Sequence, residues 1–259
     1  MNILKKRGAS NILWIVITII GGCILLFATW LWYLERYEGV GLQPPLGVEA
    51  FHTIRYYRIN PATIIASLDR KEMDVFTPES TTPENPIFEE PFSWHQDDHI
   101  KIANALHQFV LKETLDRWDL YSMHFSAPCR DNPDGFGFSE FLYFKSIPYK
   151  IWLKDYEVRG LQVAPQFSDV ALGESEYYPG SLFGRWKSID LANIKITAEE
   201  ALRIAEANGG QAARTSVQNN CRVRVRLSGY SGWLVRITEN DSASEVFSLE
   251  IDPSTGKIK

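Results

Sequence analysis

Hydrophobic positions along this chain fall into three textures: one unbroken apolar run, two stripes at helical spacing, and many short stretches of alternating or aromatic-rich residues. The unbroken run, residues 12–34 (ILWIVITIIGGCILLFATWLWYL), carries no charge. At about 1.5 Å rise per residue, its roughly 23 residues reach about 34 Å, enough for a hydrocarbon core of about 30 Å. Trp14 at one end and Trp30, Trp32 and Tyr33 at the other match interfacial aromatic belts, so the run predicts a transmembrane helix. A cleaved signal peptide fits less well, because the run is too long and ends in bulky aromatics. The Ile20-Gly21-Gly22-Cys23 stretch loosely resembles a lipoprotein box, but eleven further apolar or small residues follow Cys23 where such a protein turns polar.

A second texture begins near residue 93. Ser93 with Gln96 forms a capping-box pattern, Asp97 and Asp98 suit the positive helix end, and Ile102, Leu106, Phe109, Val110, Leu115 and Trp118 extend an apolar stripe. Before it, residues 50–59 read as a strand, Asn60-Pro61 as a helix start, and residues 64–68 as a short helix. Residues 77–91 (TPESTTPENPIFEEP) hold four prolines and four glutamates, a composition for an exposed acidic loop rather than a helix or central strand. After Asp119 come short strands at 120–125, 138–145, 149–153 and 156–163, then a long Gly-, Tyr- and Ser-rich connection over 168–188.

The plan then repeats. Thr197 with Glu200 predicts a capped helix, Ala201, Leu202 and Ala205 its packed face, and Asn208-Gly209-Gly210 its stop. Cys221, Val223, Val225 and Leu227 alternate with Arg222, Arg224 and Arg226, a strand with one buried face. Strands at 233–237 and 247–251, a tight turn at 252–256 and a last strand at 257–259 complete the reading. The expected fold class is an α+β ectodomain of two helix-plus-antiparallel-sheet units behind one N-terminal transmembrane helix. Its parts are a cytoplasmic N-terminus (1–11), the helix (12–34), a juxtamembrane linker (35–49) with Pro44-Pro45, a first unit (50–189) and a second (190–259).

Charge and cysteine usage place these units. Lys5, Lys6 and Arg7 precede the apolar run while Glu35, Arg36 and Glu38 follow it, so the positive-inside bias predicts a cell-membrane protein with its N-terminus cytoplasmic and its C-terminal domain extracytoplasmic. Net charge is −5 and no long basic block is present, which argues against nucleic acid as a partner. The expected partners are the lipid bilayer, through residues 12–34, and a protein. Cys129 and Cys221 lie on the oxidising side and hold similar places after the helices of their units, which makes them a disulfide candidate closing a loop of about 90 residues. Two unrelated buried thiols are the alternative.

Motifs for catalysis are missing: there is no G-x-S-x-G elbow and no phosphate-cradling glycine loop. His95 and His99 have the i, i+4 spacing of metal ligands, but no third ligand is evident and His107 lies about 80° round the helix from His99. Asp131, Asn132, Asp134 and Gly135 superficially match a calcium loop, without its spacing or terminal glutamate. No cofactor is therefore expected. The arginines 222, 224 and 226 share one strand face, which suits an acidic partner or lipid headgroups, or simply solvent.

The stretches ITAEEALRIAEANGG (196–210), WLVRI (233–237) and FSLEIDPSTGKI (247–258) together resemble a PepSY-type domain. The closing Asp252, turn, Thr255-Gly256 and basic-apolar pair carry most of that resemblance. It covers about the last 65 residues, and neither Cys221 nor the arginine row belongs to the family pattern. The resemblance implies one helix packed on an antiparallel sheet, and an inhibitory or interaction role outside the membrane rather than catalysis. An enzyme or metal-binding protein using the His95/His99 region, or a ligand sensor, is the alternative.

Overall fold

The computed structural model describes residues 16–30, 48–72, 74–80, 94–114, 117–129, 135–150, 153–178 and 186–259. The chain divides into two compact units, Met1–Gln43 and Pro44–Lys259, each described here by itself. In the first, helix α1 is described over residues 16–30, and its apolar side chains are exposed. Fifteen residues give about 22 Å of helix, short of a hydrocarbon core of about 30 Å. Among the described residues no helix is long and apolar enough to cross a membrane. The transmembrane helix expected over 12–34 is corrected accordingly: its length was read from apolarity alone, whereas the described helix covers only the middle of the run. The basic cluster, Trp14, the aromatic end at 32–34 and residues 35–47 of the linker lie outside the described residues, as do residues 81–91 of the acidic loop and residues 131–134 of the calcium-like loop.

Among the described residues of the second unit every strand pairing is antiparallel, and the strands belong to one nine-stranded sheet. The strands are β1 (Ile54–Arg58), β2 (Thr77–Glu79), β3 (Asp119–Pro128), β4 (Phe138–Lys150), β5 (Leu153–Ala164), β6 (Asp169–Tyr178), β7 (Cys221–Ser228), β8 (Ser231–Glu239) and β9 (Glu245–Ile251). Their order across the sheet is β2-β1-β6-β5-β4-β3-β7-β8-β9. This corrects the expectation of two separate helix-plus-sheet units, because β3 pairs directly with β7 from Ser122 opposite Ser228 to Pro128 opposite Arg222. The physical reason is the edge: two small sheets would leave two rows of unpaired backbone groups, and joining β3 to β7 satisfies both.

Helices α2 (Ile64–Asp69), α3 (Gln96–Phe109), α4 (Ala198–Ala205) and α5 (Gln211–Ser216) contribute to the main core. That core takes Ile64 and Leu68 from α2, Ile102 and Leu106 from α3 and Ala198, Ala201, Leu202 and Ala205 from α4. From the strands it takes Met123, Phe125, Phe141, Leu161, Val225, Trp233 and Val235, all nearly or completely buried. Period-two alternation through Val223, Val225 and Leu227 puts the arginines of β7 on the opposite face. A second, smaller cluster of Phe51, Tyr121, Leu142, Phe144, Tyr156, Val158 and Trp186 covers part of that opposite face. Phe51 can lie there because Gly160 and Gly173 face each other across β5 and β6. A Cβ added at either would come within 2.6 Å of its ring.

Several element boundaries differ from the sequence reading. The N-cap of helix α3 is His95, two residues beyond the Ser93 expected to cap it, with the Asp98 carboxylate accepting from the His95 backbone N–H at 3.3 Å. It ends at Phe109, and Lys112 takes a left-handed φ of 53°, so Trp118 reaches the core from outside the helix. The supposed connection over 168–188 contains β6, whose Val170 and Leu172 are buried. Asn208-Gly209 kinks the helix, with Gly209 at φ 113°, but helical backbone resumes as α5 rather than stopping. The closing turn forms as expected, with Asp252 Oδ1 accepting from the backbone N–H of Ser254 and Thr255 at 2.9 Å each.

Cys129 and Cys221 are joined by a disulfide with Cα atoms 5.2 Å apart. The Cys129 N–H also donates to the Cys221 carbonyl at 2.8 Å, and Arg214 of α5, paired with Glu206, donates to the Cys129 carbonyl at 3.2 Å. The bridge spans 92 residues of sequence, a loop long enough that the chain-entropy model gives on the order of 4–5 kcal/mol, with measured values commonly lower. Replacing both cysteines by alanine should lower unfolding free energy by about 2–4 kcal/mol in urea titration. An unchanged midpoint would mean the pairing of β3 with β7 stands without the bridge.

Candidate functional site: an arginine-lined sheet face

The cross-strand register gathers a polar surface on the sheet face away from the helices. Arg224 on β7 lies opposite Ser126 on β3 and Arg236 on β8, and Arg226 lies opposite His124 and Leu234. Glu140 on β4 is opposite His124. Directly opposed residues share a face, so Ser122, His124, Ser126, Glu140, Arg222, Arg224, Arg226 and Arg236 come together, and they line a cavity of about 460 Å³.

The charges in this cavity are unequal. Arg236 pairs with Glu245 at 3.1 Å, an exposed pair that solvent screens. His124 Nδ1 lies 3.4 Å from Glu140 Oε2, and Glu140 Oε1 accepts from the Val48 N–H at 3.3 Å. Among the described residues, Arg222, Arg224 and Arg226 have no carboxylate partner. Arg224 and Arg236 are like charges placed directly opposite each other, an arrangement that disfavours the sheet. Ser122 and Ser126 are buried and line the cavity, their hydroxyls make no hydrogen bond among the described residues, and His124 Nε2 is buried without a partner there. The surface is therefore rich in uncommitted donors in a protein whose net charge is −5.

The arginine face expected from alternation is thus present, and the structure adds Arg236, His124, Ser122, Ser126 and Glu140. Each of these also alternates with a buried residue: Arg236 between Val235 and Ile237, His124 between Met123 and Phe125. The alternation was the available signal; which strands were neighbours was not.

The His95/His99 pair is held differently. His95 is 70% exposed, with its ring 3.8 Å from Glu199. His99 is fully buried: its Nε2 donates to the Phe136 carbonyl at 2.9 Å, and Nδ1 of the neutral ring accepts from the Ser139 hydroxyl at 2.8 Å. That leaves the neutral His99 ring without a free lone pair for a metal. Among the described residues no group of three histidine, cysteine, aspartate or glutamate side chains is placed to hold one. His107 is also buried, donating from Nδ1 to the Ala103 carbonyl at 3.2 Å and packing edge-on against Tyr143.

No protein-family model matches this chain, and no curated protein matches it.

Burial pushes both His99 and His107 down to about 4, against a smaller opposing effect from their carbonyl partners. Burial likewise pushes the Asp169 carboxyl up to about 6. Below about pH 6.5 the unfolded chain protonates His99 and His107 while the folded chain does not, so the contribution of each of these two is full above that pH and is lost as pH falls toward 4. Asp169 acts in the opposite sense, because its folded form holds the proton more tightly below pH 6. Two histidines against one aspartate leave a net loss on the order of 1 kcal/mol per pH unit between pH 6 and 4. Urea titrations should show lower stability at pH 5 than at pH 7; a flat profile would contradict neutral buried histidines.

Proposed function

We propose that this protein is a non-catalytic interaction or regulatory module acting in an extracytoplasmic, oxidising compartment, and that it contacts an acidic protein partner through the arginine face of β7 and β8. The carrying observation is the row of three arginines without a carboxylate partner among the described residues, beside a buried His124 Nε2 that makes no hydrogen bond among them. Such an arrangement costs stability in the free protein and is relieved when anionic groups arrive. The disulfide supports the oxidising compartment. The uncharged run at 12–34, preceded by Lys5, Lys6 and Arg7, supports association with the lipid bilayer. The PepSY-like tail supports a role in restraining an envelope peptidase or in an envelope complex, with no reaction of its own.

The experiment is capture by cross-linking from membranes with the full-length protein and with the Arg222→Glu, Arg224→Glu, Arg226→Glu triple variant. The variant should keep its unfolding free energy within about 1 kcal/mol, since exposed charges contribute little to folding. It should lose partner recovery at least tenfold, and raised salt should weaken the wild-type contact. Undiminished recovery by a folded variant would move the contact off this face.

A further inference from the structure

Along β7 the same-face positions Arg222, Arg224 and Arg226 recur at about 7 Å, so the row spans about 14 Å. On the neighbouring strand β3, Ser122, His124 and Ser126 form a parallel row with the same repeat, their positions facing Ser228, Arg226 and Arg224. One row offers guanidinium groups and the other offers hydroxyls and a ring nitrogen that are committed to nothing else among the described residues, apart from the His124 contact with Glu140. A ligand that fits both rows needs anionic groups every 7 Å on one side and hydrogen-bonding groups of the same period on the other.

An extended polypeptide has both. Alternate side chains of a strand repeat at about 7 Å, and its backbone N–H and C=O groups follow the same period. We propose that the partner's contacting segment is an extended acidic peptide with glutamate or aspartate at every second residue, lying along β7. Its carboxylates sit between the arginines, and one of them separates Arg224 from Arg236. Its backbone meets the Ser122 and Ser126 hydroxyls. Guanidinium and carboxylate pair through two parallel hydrogen bonds, which gives the contact direction as well as charge. A block of adjacent acids projects its carboxylates to opposite sides and reaches the row with only some of them. A compact polyphosphate offers charge without a backbone for the serines. This inference rests on the arginine face being an interaction surface, and it specifies what enters there.

The test is fluorescence anisotropy on the full-length protein with three probes. They are a labelled pentapeptide of alternating glutamate and threonine, the same composition with its glutamates in one block, and tripolyphosphate as competitor. The alternating peptide should bind at least tenfold more tightly than the block peptide. Arg224→Glu should weaken it at least tenfold, whereas Ser126→Ala should weaken it about threefold and leave tripolyphosphate binding unchanged. Arg224→Gln, which removes charge without reversing it, provides the same readout should the reversal fail to fold.

Equal affinity for the two peptides would overturn the extended-strand geometry. Tripolyphosphate binding as tightly as the alternating peptide would overturn it in favour of a compact oxyanion site. Absence of peptide binding, with arginine-dependent partner capture intact, would overturn this inference while leaving the interaction surface standing.

Discussion

The pairing of β3 with β7 is the joint on which the rest of the molecule depends. It converts a meander of β3 to β6 and a second meander of β7 to β9 into one sheet, and it leaves no internal edge between them. The joint is secured at one end by three different interactions on the same few atoms. Cys129 is bonded to Cys221 covalently, donates its N–H to the Cys221 carbonyl, and receives Arg214 on its own carbonyl. Arg214 is itself buried and held by both Glu206 oxygens, so the kinked α4–α5 segment is tied to the same corner. A buried arginine is expensive unless paired, and here the pairing and the carbonyl contact together satisfy it.

The joint also decides what the opposite face of the sheet presents. On the helix side, aromatic and aliphatic residues from both meanders interdigitate around Phe125 and Trp233, whose ring centroids are 6.3 Å apart. On the other side, coverage stops part-way. Phe51, Tyr156 and Trp186 close over β4 to β6, using the room left by Gly160 and Gly173, while β3, β7 and β8 carry serines and arginines over the cavity instead. Stability is concentrated where the apolar layers are double, and uncommitted charge where the layer is single. That division follows from burial: arginine side chains keep their heads hydrated when one face is left open, whereas the same residues under a second apolar layer would need partners.

Local patterns were readable in the sequence wherever period and caps coincided. The alternation at 221–227, the Thr197 cap, the strands at 233–237 and 247–251 and the Asp252 turn all form where their residues predict. The contact between Cys129 and Cys221 follows from order and compartment, and the structure adds that their strands, β3 and β7, pair directly. What was not readable is non-local. Strand β6 hides in a Gly- and Ser-containing stretch because its glycine is needed beneath Phe51, a requirement set by a residue more than a hundred positions away. The extent of α3 depended on Lys112 leaving helical backbone, and the helical spacing of Trp118 gave no sign of that. His99 looked like a ligand by spacing and is a core residue by contact, satisfied by Phe136 and Ser139 from the far side of the fold. For the N-terminal run, the described helix over 16–30 is not long enough to cross a membrane.

The central claim is that one cooperative sheet joins the two halves of this unit and thereby assembles the arginine face. Native-state hydrogen exchange measures that directly. The account predicts that the amides of Phe125 in β3, Val225 in β7 and Val235 in β8 exchange only through a shared opening, with one free energy and one denaturant dependence. If the amides of residues 221–251 instead open together at distinctly lower free energy while β3 to β6 remain protected, the second meander is a separate module docked on the first, and the account of a single sheet is wrong.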